Sequence, residues 1–570
     1  MGNKVIIIAL DGATFEVLGP WIEAGRLPHL RAMLADGVSG ELQSCVPTVT
    51  APAWMSFMTG KNPGKHGVFD FVTQDKTTYR FHPVNSRLRH GQVLWEVIGD
   101  QGGRVAVLNV PLTHPPYPVN GALISDFLLA TGRGGTSFPP ELTKEIEDQF
   151  GTYPSDAVLP YFVVSQVDED LRRFIREYTE TMEYKFRVAD YLLEKLDPDF
   201  LMLHLYGNDQ ICHWLWHIFD ETHPRYRKED AEKHFETILQ YYWAFDANIG
   251  SLLERMDEDT SLFIISDHGF GPVYKAIDLN TWLYQGGYLA LKTNPLTRLR
   301  RLGWELGLTP NAISFISQSW IAKQLGKLVR RRLKDSTQGG VDRVMQSHKL
   351  TQLLLSFNDI DWSRTRAFSP FGFGQIRINV QGEWAHGCVA PGAEYQQIKR
   401  EIVEKLRALR DPETGAPVDA DIITKDEVYS GEFFDDAPDI FFVPVNGKYR
   451  PKSAGFTSNH VISYFYGMTG IHKMNGILMA RGAPLKRGAW IEEAQLIDLF
   501  PSLLYLMGMT IPDGVDGKVL HPMFTEEFLQ HHPIRFSEVA DAAGKPAVER
   551  LERQEEEAVI ERLRGLGYLD

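Results

Sequence analysis

Four short apolar runs constrain the fold of this chain most strongly, because a polar residue follows or precedes each of them. The runs and their polar neighbours are Val5–Leu10 with Asp11, Phe200–Tyr206 with Asp209, Ser261–Ile265 with Asp267-His268, and Gly476–Ala480 with the preceding His472. Helical patterns lie between the runs, at about 15–36, 168–196 and 228–256. Apolar strands that alternate with helices predict an α/β fold with a mostly parallel central sheet and helices on both faces.

The polar residues near these strands indicate a shared metal site. Ligands of such sheets bind beyond the carboxyl ends of the strands, and three of the runs deliver an acid there. Asp209 and His213 are four residues apart, so both face the same way on a helical turn, although His217 offers a rival partner for His213. Three carboxylates in one pocket repel each other, and divalent cations relieve that repulsion. A mixture of Asp and His suits zinc, with manganese as the alternative.

The charge of such a site favours a phosphate substrate. Three carboxylates and two divalent cations leave one net positive charge, which an ionised hydroxyl would cancel, so the site would accept a phosphate oxyanion. The segment 47–54 supplies hydroxyls, from Thr48 and Thr50, in a turn that prolines constrain. A threonine hydroxyl beside divalent cations could attack phosphorus in line. The residues alone leave open which threonine would act.

The composition narrows the possible binding partners and the expected location of the protein. The chain has 570 residues and a formal net charge of −15, which disfavours binding to the phosphates of a nucleic acid polymer. No apolar run approaches the roughly 20 residues of a membrane span. The cysteines Cys45, Cys212 and Cys388 make neither a disulfide framework nor a cysteine-type zinc site. The apolar start Val5–Leu10 is too short for a signal peptide, so we expect a cytoplasmic protein.

The predicted organisation is a catalytic core with insertions. The core covers 1–291 and 350–525, with a helical insertion at 130–195, and a helical tail covers 526–570. A basic helical cap insertion covers 292–349. Within it, 292–335 carries ten Lys or Arg residues against two acids, together with Trp304, Phe315, Ile316 and Trp320. We favour a solvated cap for this segment, with contact to a membrane surface or a substrate lid as alternatives.

Taken in order, several segments resemble the alkaline phosphatase superfamily, and specifically its type I phosphodiesterase/nucleotide pyrophosphatase family. The segments are IIIALDG (6–12), PTVTAPAWMSFMTGKNPGKHG (47–67), NDQICH (208–213), SDHGF (266–270), GIH (470–472) and LIDLFPSLLYLMGMTIPDGVDGKVL (496–520). The resemblance implies an alkaline-phosphatase-like fold with two metal ions and a threonine nucleophile that forms a phosphothreonine-type intermediate. Carried over, the ligands of one metal are Asp209, His213 and His472, and those of the other are Asp11, Thr50, Asp267 and His268.

The chain departs from this family at one point. Nucleotide pyrophosphatases usually have an Asn soon after the His-Gly that follows the nucleophile, and the stretch 66–71 has none, so the resemblance does not extend to nucleotide specificity. Lys61, Lys65 and Asn109 are alternative phosphate-binding residues, although each residue type more often braces a loop or the surface. We therefore expect a metal-dependent phosphodiester or phosphoanhydride hydrolase that acts on a small-molecule phosphate ester.

Other functions of the same fold fit less well. A sulfatase needs a Cys or Ser and an Arg in a C/S-x-P-x-R pattern, and Thr50-Ala-Pro-Ala-Trp54 lacks both. Cofactor-independent phosphoglycerate mutases resemble the chain less, because they use a serine nucleophile and a domain inserted early. A phosphomonoesterase, or a non-catalytic module that binds a membrane surface through 292–335, stays an alternative.

Overall fold

The computed structural model describes residues 3–126, 136–154, 168–313, 354–370, 372–452, 455–537 and 553–565. Its strands are β1 (Lys4–Leu10), β2 (Val38–Gln43), β3 (Val72–Gln74), β4 (Phe81–Pro83), β5 (Val105–Leu108), β6 (Gly121–Ile124), β7 (Ser137–Phe138), β8 (Phe200–Leu205), β9 (Thr260–Ile265), β10 (Gly269–Asp278), β11 (Ala367–Phe368), β12 (Gln375–Ile378), β13 (Ala420–Thr424), β14 (Ile440–Pro444), β15 (Lys448–Lys452), β16 (Ile462–Tyr464), β17 (Gly470–Lys473), β18 (Asn475–Arg481) and β19 (Ala489–Gln495). Its helices are α1 (Phe15–Glu23), α2 (Pro28–Asp36), α3 (Thr50–Thr59), α4 (Pro63–His66), α5 (Leu94–Asp100), α6 (Leu142–Phe150), α7 (Asp168–Leu196), α8 (Gly207–Phe219), α9 (Lys228–Arg255), α10 (Leu279–Gln285), α11 (Pro295–Glu305), α12 (Ala393–Arg407), α13 (Lys425–Val428), α14 (Leu499–Leu506), α15 (Glu526–His531) and α16 (Arg553–Gly565).

A nine-stranded sheet in the order β19-β2-β18-β9-β1-β8-β5-β6-β7 forms the centre of the fold. The five strands β9, β1, β8, β5 and β6 pair in parallel, whereas β18 and β7 pair antiparallel to their neighbours. The predicted mostly parallel α/β sheet is therefore confirmed. All four apolar runs are strands of this sheet, as β1, β8, β9 and β18.

The fourth run, β18, differs from the other three in direction. After β9 the chain leaves the central sheet, builds the two four-stranded sheets and returns through β17, which pairs with β10 just past the end of β9. A parallel β18 would need a helical crossover to the opposite edge, and only Met474 separates it from β17. β18 therefore starts at the carboxyl edge of the parallel strands, which places the residues just before it at that same edge.

Both faces of the central sheet are buried. Val5, Ile7 and Ala9 of β1 belong to one apolar cluster with α3, α5 and α14, while Ile6 and Ile8 belong to a second cluster with α1, α2, α7, α8 and α9. Successive side chains of a strand point to opposite faces, so an unbroken apolar run is what a sheet covered on both sides requires. The helical patterns predicted at 15–36, 168–196 and 228–256 correspond to α1 and α2, α7, and α9.

The smaller units and the tail pack beside this core. A four-stranded sheet in the order β11-β12-β14-β13 is covered by α12 and shares a cluster with α10 and α11. In the tail, α16 places Val559 and Leu563 in the first apolar cluster of the core. Much of the predicted cap insertion (314–349) and parts of the 130–195 insertion lie outside the described residues, and the domain boundaries stay predictions.

Within the described part of the chain, no helix combines the length and the apolar character needed to cross a bilayer.

Candidate metal centre and nucleophile

Asp11 and Asp267 meet at the carboxyl ends of the neighbouring strands β1 and β9. Gly12 follows Asp11 with a φ of +67°, and a Cβ on it would lie 2.4 Å from the Phe270 ring, so only glycine fits this turn. The amide of Gly12 donates to Asp267 Oδ1 at 3.3 Å. The turn after β1 thus holds the two fully buried acids side by side.

Asp209, His213 and His472 form a first group of ligand atoms. Asp209 and His213 lie in the first two turns of α8, and His472 lies on β17, against them. Asp209 Oδ1 is 3.4 Å from His213 Nε2 and 3.3 Å from His472 Nε2, and the two imidazole nitrogens are 3.0 Å apart. One ligand atom from each residue lies within 4.8 Å of the others, a spacing that a single metal ion could bridge.

Asp11, Asp209 and His268 form a second group with the same spacing. His268 Nε2 lies 3.6 Å from Asp11 Oδ1 and 3.4 Å from Asp267 Oδ2, so Asp267 borders this group although it is not one of its three members. Asp209 belongs to both groups. The six predicted Asp and His ligands are therefore gathered in one buried cluster, with Asp209 between its two halves.

A backbone carbonyl orients each of the three histidines. Nδ1 faces the carbonyl of Gly470 in His213 (3.0 Å), of Gly269 in His268 (3.2 Å) and of Thr48 in His472 (3.0 Å). A carbonyl only accepts, so Nδ1 carries a proton, and Nε2 is the ring nitrogen that faces the cluster and can serve as a metal ligand. Histidines that ligate metals are held in this way by their surroundings.

Burial and mutual charge shift the pKa values of Asp and His residues in the cluster. Burial, and then the neighbouring carboxylates, raise the pKa of Asp11 and of Asp267 well above the usual value. Burial alone would also raise the pKa of Asp209, but His213 and His472 beside it hold that pKa below its usual value. Burial lowers the pKa of His213 to about 4 and that of His268 well below its usual value. The protein alone therefore opposes the ionisation of Asp11 and Asp267, which the positive charge of a bound metal ion would favour.

The donor atoms fit divalent metal cations. Asp11 Oδ1 and Asp267 Oδ2 are buried and find no hydrogen-bond donor among the described residues. Leaving such an oxygen buried without a partner costs about 1–3 kcal/mol, and more when it is charged. His213 Nε2 and His472 Nε2 lie 3.0 Å apart, and a metal ion bound by both would be coordinated by the lone pair of each nitrogen. Metal ligation would satisfy all of these atoms together.

Thr50 opens helix α3 beside the second group. Its hydroxyl is fully buried, and Oγ1 lies 3.3 Å from His268 Nε2. Pro52 fits the first turn, where a backbone N–H has no partner within the helix. All ten residues of α3 are buried, which fixes Thr50 in place. Thr48 contributes its backbone carbonyl to His472, whereas Thr50 contributes its hydroxyl to the second group.

Three residues that the sequence analysis did not identify hold Asp11. His204 Nε2 lies 2.8 Å from Asp11 Oδ2, Trp54 Nε1 donates to the same oxygen at 3.3 Å, and Asn208 Nδ2 donates to the Asp11 carbonyl at 2.7 Å. These contacts turn Oδ1 toward His268. His204 is the one polar residue of the otherwise apolar strand β8, and this is the feature of the sequence that could have indicated its role.

Other residues considered from the sequence lie elsewhere. His217 contacts Thr469 Oγ1 at 3.2 Å and belongs to neither group. Lys65 forms an ion pair with Asp516, and Asn109 accepts a hydrogen bond from the Tyr153 hydroxyl at 2.7 Å. These contacts show bracing roles for Lys65 and Asn109.

Comparison with known proteins places these residues in a family context. Residues 5–453 match the family model described as type I phosphodiesterase / nucleotide pyrophosphatase. Of the seven predicted site residues, only His472 lies beyond the matched range. No curated protein matches the chain at a significant level.

Comparison with solved structures gives matches that extend over most of this chain at low identity. Human ectonucleotide pyrophosphatase/phosphodiesterase 5 is 12% identical with a TM-score of 0.42, and the alignment covers 89% of this chain and 96% of that one. Phosphonoacetate hydrolase from Sinorhizobium meliloti 1021, in complex with phosphonoacetate, is 14% identical with a TM-score of 0.47 and coverages of 87% and 94%.

Proposed function

Because the chain belongs to the type I phosphodiesterase/nucleotide pyrophosphatase family, and so to the phosphoric ester hydrolases, we propose that it hydrolyses a phosphodiester or phosphoanhydride with Thr50 as nucleophile and two divalent cations as cofactors. The observation that carries the proposal is the position of the Thr50 hydroxyl, 3.3 Å from His268 Nε2 and inside a buried cluster of three carboxylates and three carbonyl-anchored histidines. A purely structural cluster would not leave carboxylate oxygens buried without donors.

The two groups of ligand atoms suggest how the cations would be held. Asp209, His213 and His472 would hold one, and Asp11, Thr50, Asp267 and His268 the other, with Asp209 close to both. Cations bound there would stabilise negative charge on a phosphoryl group and favour the ionised form of a neighbouring hydroxyl. Zinc is our first choice because the ligands mix Asp and His, and manganese is the second.

The residues of the chain support an in-line displacement at phosphorus. Thr50 Oγ1 would form the new bond to phosphorus while the bond to the leaving oxygen breaks. The proton that Thr50 loses balances the one that the departing alcohol or phosphate takes up. The N-terminus of α3 directs partial positive charge toward the phosphoryl group. Water would then hydrolyse the threonine phosphoester and restore the free hydroxyl.

The substrate we propose is a small-molecule phosphate ester. The net charge of −15 opposes a polyanionic nucleic acid, so anion binding depends on the local cluster. The absence of an Asn in the stretch 66–71 gives no support for a nucleotide substrate. A phosphomonoester is the second candidate, since the same cluster could accept its phosphoryl group.

Rates on three chromogenic esters test the proposal. We expect metal-loaded protein to hydrolyse bis(p-nitrophenyl) phosphate faster than the monoester, and the sulfate ester not at all. A chelator should abolish the activity, and zinc or manganese should restore it. His213→Ala should remove the activity, whereas the matched variant His217→Ala, on the same helix but outside both groups, should keep it. Activity that survives both the chelator and His213→Ala would refute the proposal.

A further inference from the structure

Helix α11 carries an exposed row of leucines that its packing leaves outside the core. Leu296, Leu299, Leu302 and Leu306 recur every three or four residues, which places them on one side of the helix. We call these four side chains the leucine face. Leu299 is 65% exposed and Leu306, which follows the last helical residue, is 80% exposed.

The opposite side of α11 is firmly attached to the protein. Trp304 is only 4% exposed, packs against Tyr284 and Phe456, and donates from Nε1 to the Ser458 carbonyl at 3.1 Å. Thr297 donates from Oγ1 to Asp359 Oδ1 at 2.7 Å, and Arg300 pairs with the same oxygen at 2.9 Å. The outward direction of the leucine face is therefore fixed by the fold.

The leucines form a concentrated surface feature. Ten large apolar side chains are exposed among the described residues, and five of them are leucines within 296–308. Scattered exposed leucines are ordinary, but a row of them on one helix marks a surface that contacts an apolar partner.

Positive charge surrounds this face. Lys292 and Arg298 are exposed beside the leucines, whereas the exposed Arg301 pairs with Glu305 at 3.3 Å, and Glu305 is the only acid from 292 to 308. The whole chain is strongly acidic, at −15, so this local positive charge stands against the field of the rest of the protein. Leucines on one side of a helix and cations at their borders are the pattern of helices that lie in the interface of an anionic membrane.

We propose that α11 docks on the surface of an anionic lipid bilayer, with the leucine face among the acyl chains and the bordering cations at the lipid phosphates. This docking is separate from the hydrolase reaction and does not depend on it. An interface between two copies of the chain would also cover the leucines, but two copies would bring like-charged Lys292 and Arg298 borders together. The charge therefore favours lipid.

Binding to vesicles tests the docking. We expect full-length protein to sediment with vesicles of phosphatidylglycerol and phosphatidylcholine, more weakly with phosphatidylcholine alone, and less as salt is raised. The double variant Leu299→Gln/Leu306→Gln should lower the partition coefficient about tenfold or more. Lys292→Gln/Arg298→Gln should lower it about fivefold for each cation. The matched control Phe536→Gln, at a ring that is also 65% exposed, should bind as the wild type does.

Two results would overturn the proposal. One is vesicle binding that is absent, or that the leucine variant leaves unchanged. The other is a dimer in sedimentation velocity without lipid that the leucine variant dissociates, because a second copy would then cover the face. Hydrolysis of bis(p-nitrophenyl) phosphate on the same preparations is expected to be equal in all variants, which separates a failure of docking from a failure of the proposed function.

Discussion

Replacement of His204 by Phe should weaken metal binding although His204 is not itself a proposed metal ligand. Asp11 is fully buried and Oδ2 receives two hydrogen bonds, from His204 Nε2 at 2.8 Å and Trp54 Nε1 at 3.3 Å. When Asp11 is ionised it can only accept, so the His204 bond is charge-assisted. Phe keeps the ring volume and the edge contact with Trp54, at 5.3 Å between ring centroids, but removes the shorter of the two bonds.

The expected size of the effect follows from that single bond. A hydrogen bond to a charged group contributes about 1.5–3 kcal/mol, which corresponds to about 10- to 150-fold in an equilibrium constant. Residues that hold a metal ligand in place usually cost about the same when they are changed. Because Trp54 still donates to Oδ2, we expect a loss of metal affinity in the lower half of this range.

Calorimetric titration of zinc or manganese into metal-free protein would measure this loss. His204→Gln keeps a side-chain donor and should recover part of the affinity. The matched control is His223→Phe, since His223 is also buried but contacts the Val273 carbonyl at 3.1 Å, away from both groups. Equal affinity in wild type and His204→Phe, or an equal loss in His223→Phe, would refute the argument that His204 acts through Asp11.

Three further predictions concern the nucleophile, the shared ligand and a buried acid outside the site. Thr50→Ala should reduce turnover at least about a thousandfold while the Asp and His ligands still bind metal, and a variant that turns over normally would exclude Thr50 as nucleophile. Asp209→Asn should lower metal content more than Asp267→Asn does, because Asp209 belongs to both ligand groups; elemental analysis showing the reverse order would contradict the geometry. Burial raises the pKa of Asp70 to about 8, so the folded state keeps a proton that the unfolded chain loses near pH 4, and stability should fall as pH rises through this interval. Urea denaturation at a series of pH values would measure the free energy of unfolding, and Asp70→Asn should flatten its decline between about pH 4 and pH 8. The same decline in the wild type and in Asp70→Asn would show that Asp70 does not titrate in this way.

Much of the site was readable from local sequence patterns. An apolar run that ends at an acid predicts a buried strand with a polar group at its carboxyl edge, and this placed Asp11, Asp209 and Asp267 at one edge. The four-residue step from Asp209 to His213 required only a helix, which α8 provides. Such inferences succeed because they depend only on residues that are close in sequence. The periods of strands and helices fix the direction in which these side chains point.

Other features could not be predicted from local sequence patterns. His472 reaches the cluster because β18 runs antiparallel to β9 and starts at the carboxyl edge of the parallel strands. The apolar sequence of β18 does not determine in which direction the strand runs. The sequence also could not separate Trp304, which is buried, from the exposed leucines around it, because both are apolar positions of one basic helix.

The sequence by itself therefore determined the fold class and the kinds of side chain that could meet, since period and composition are local properties. The tertiary structure alone decided which atoms do meet. His472 Nδ1 faces the Thr48 carbonyl across 424 residues, and His204 holds Asp11 across 193. A contact at such a separation depends on the path of the whole chain, so no pattern within a segment could reveal which carbonyl sets a histidine tautomer or which carboxylate is shared.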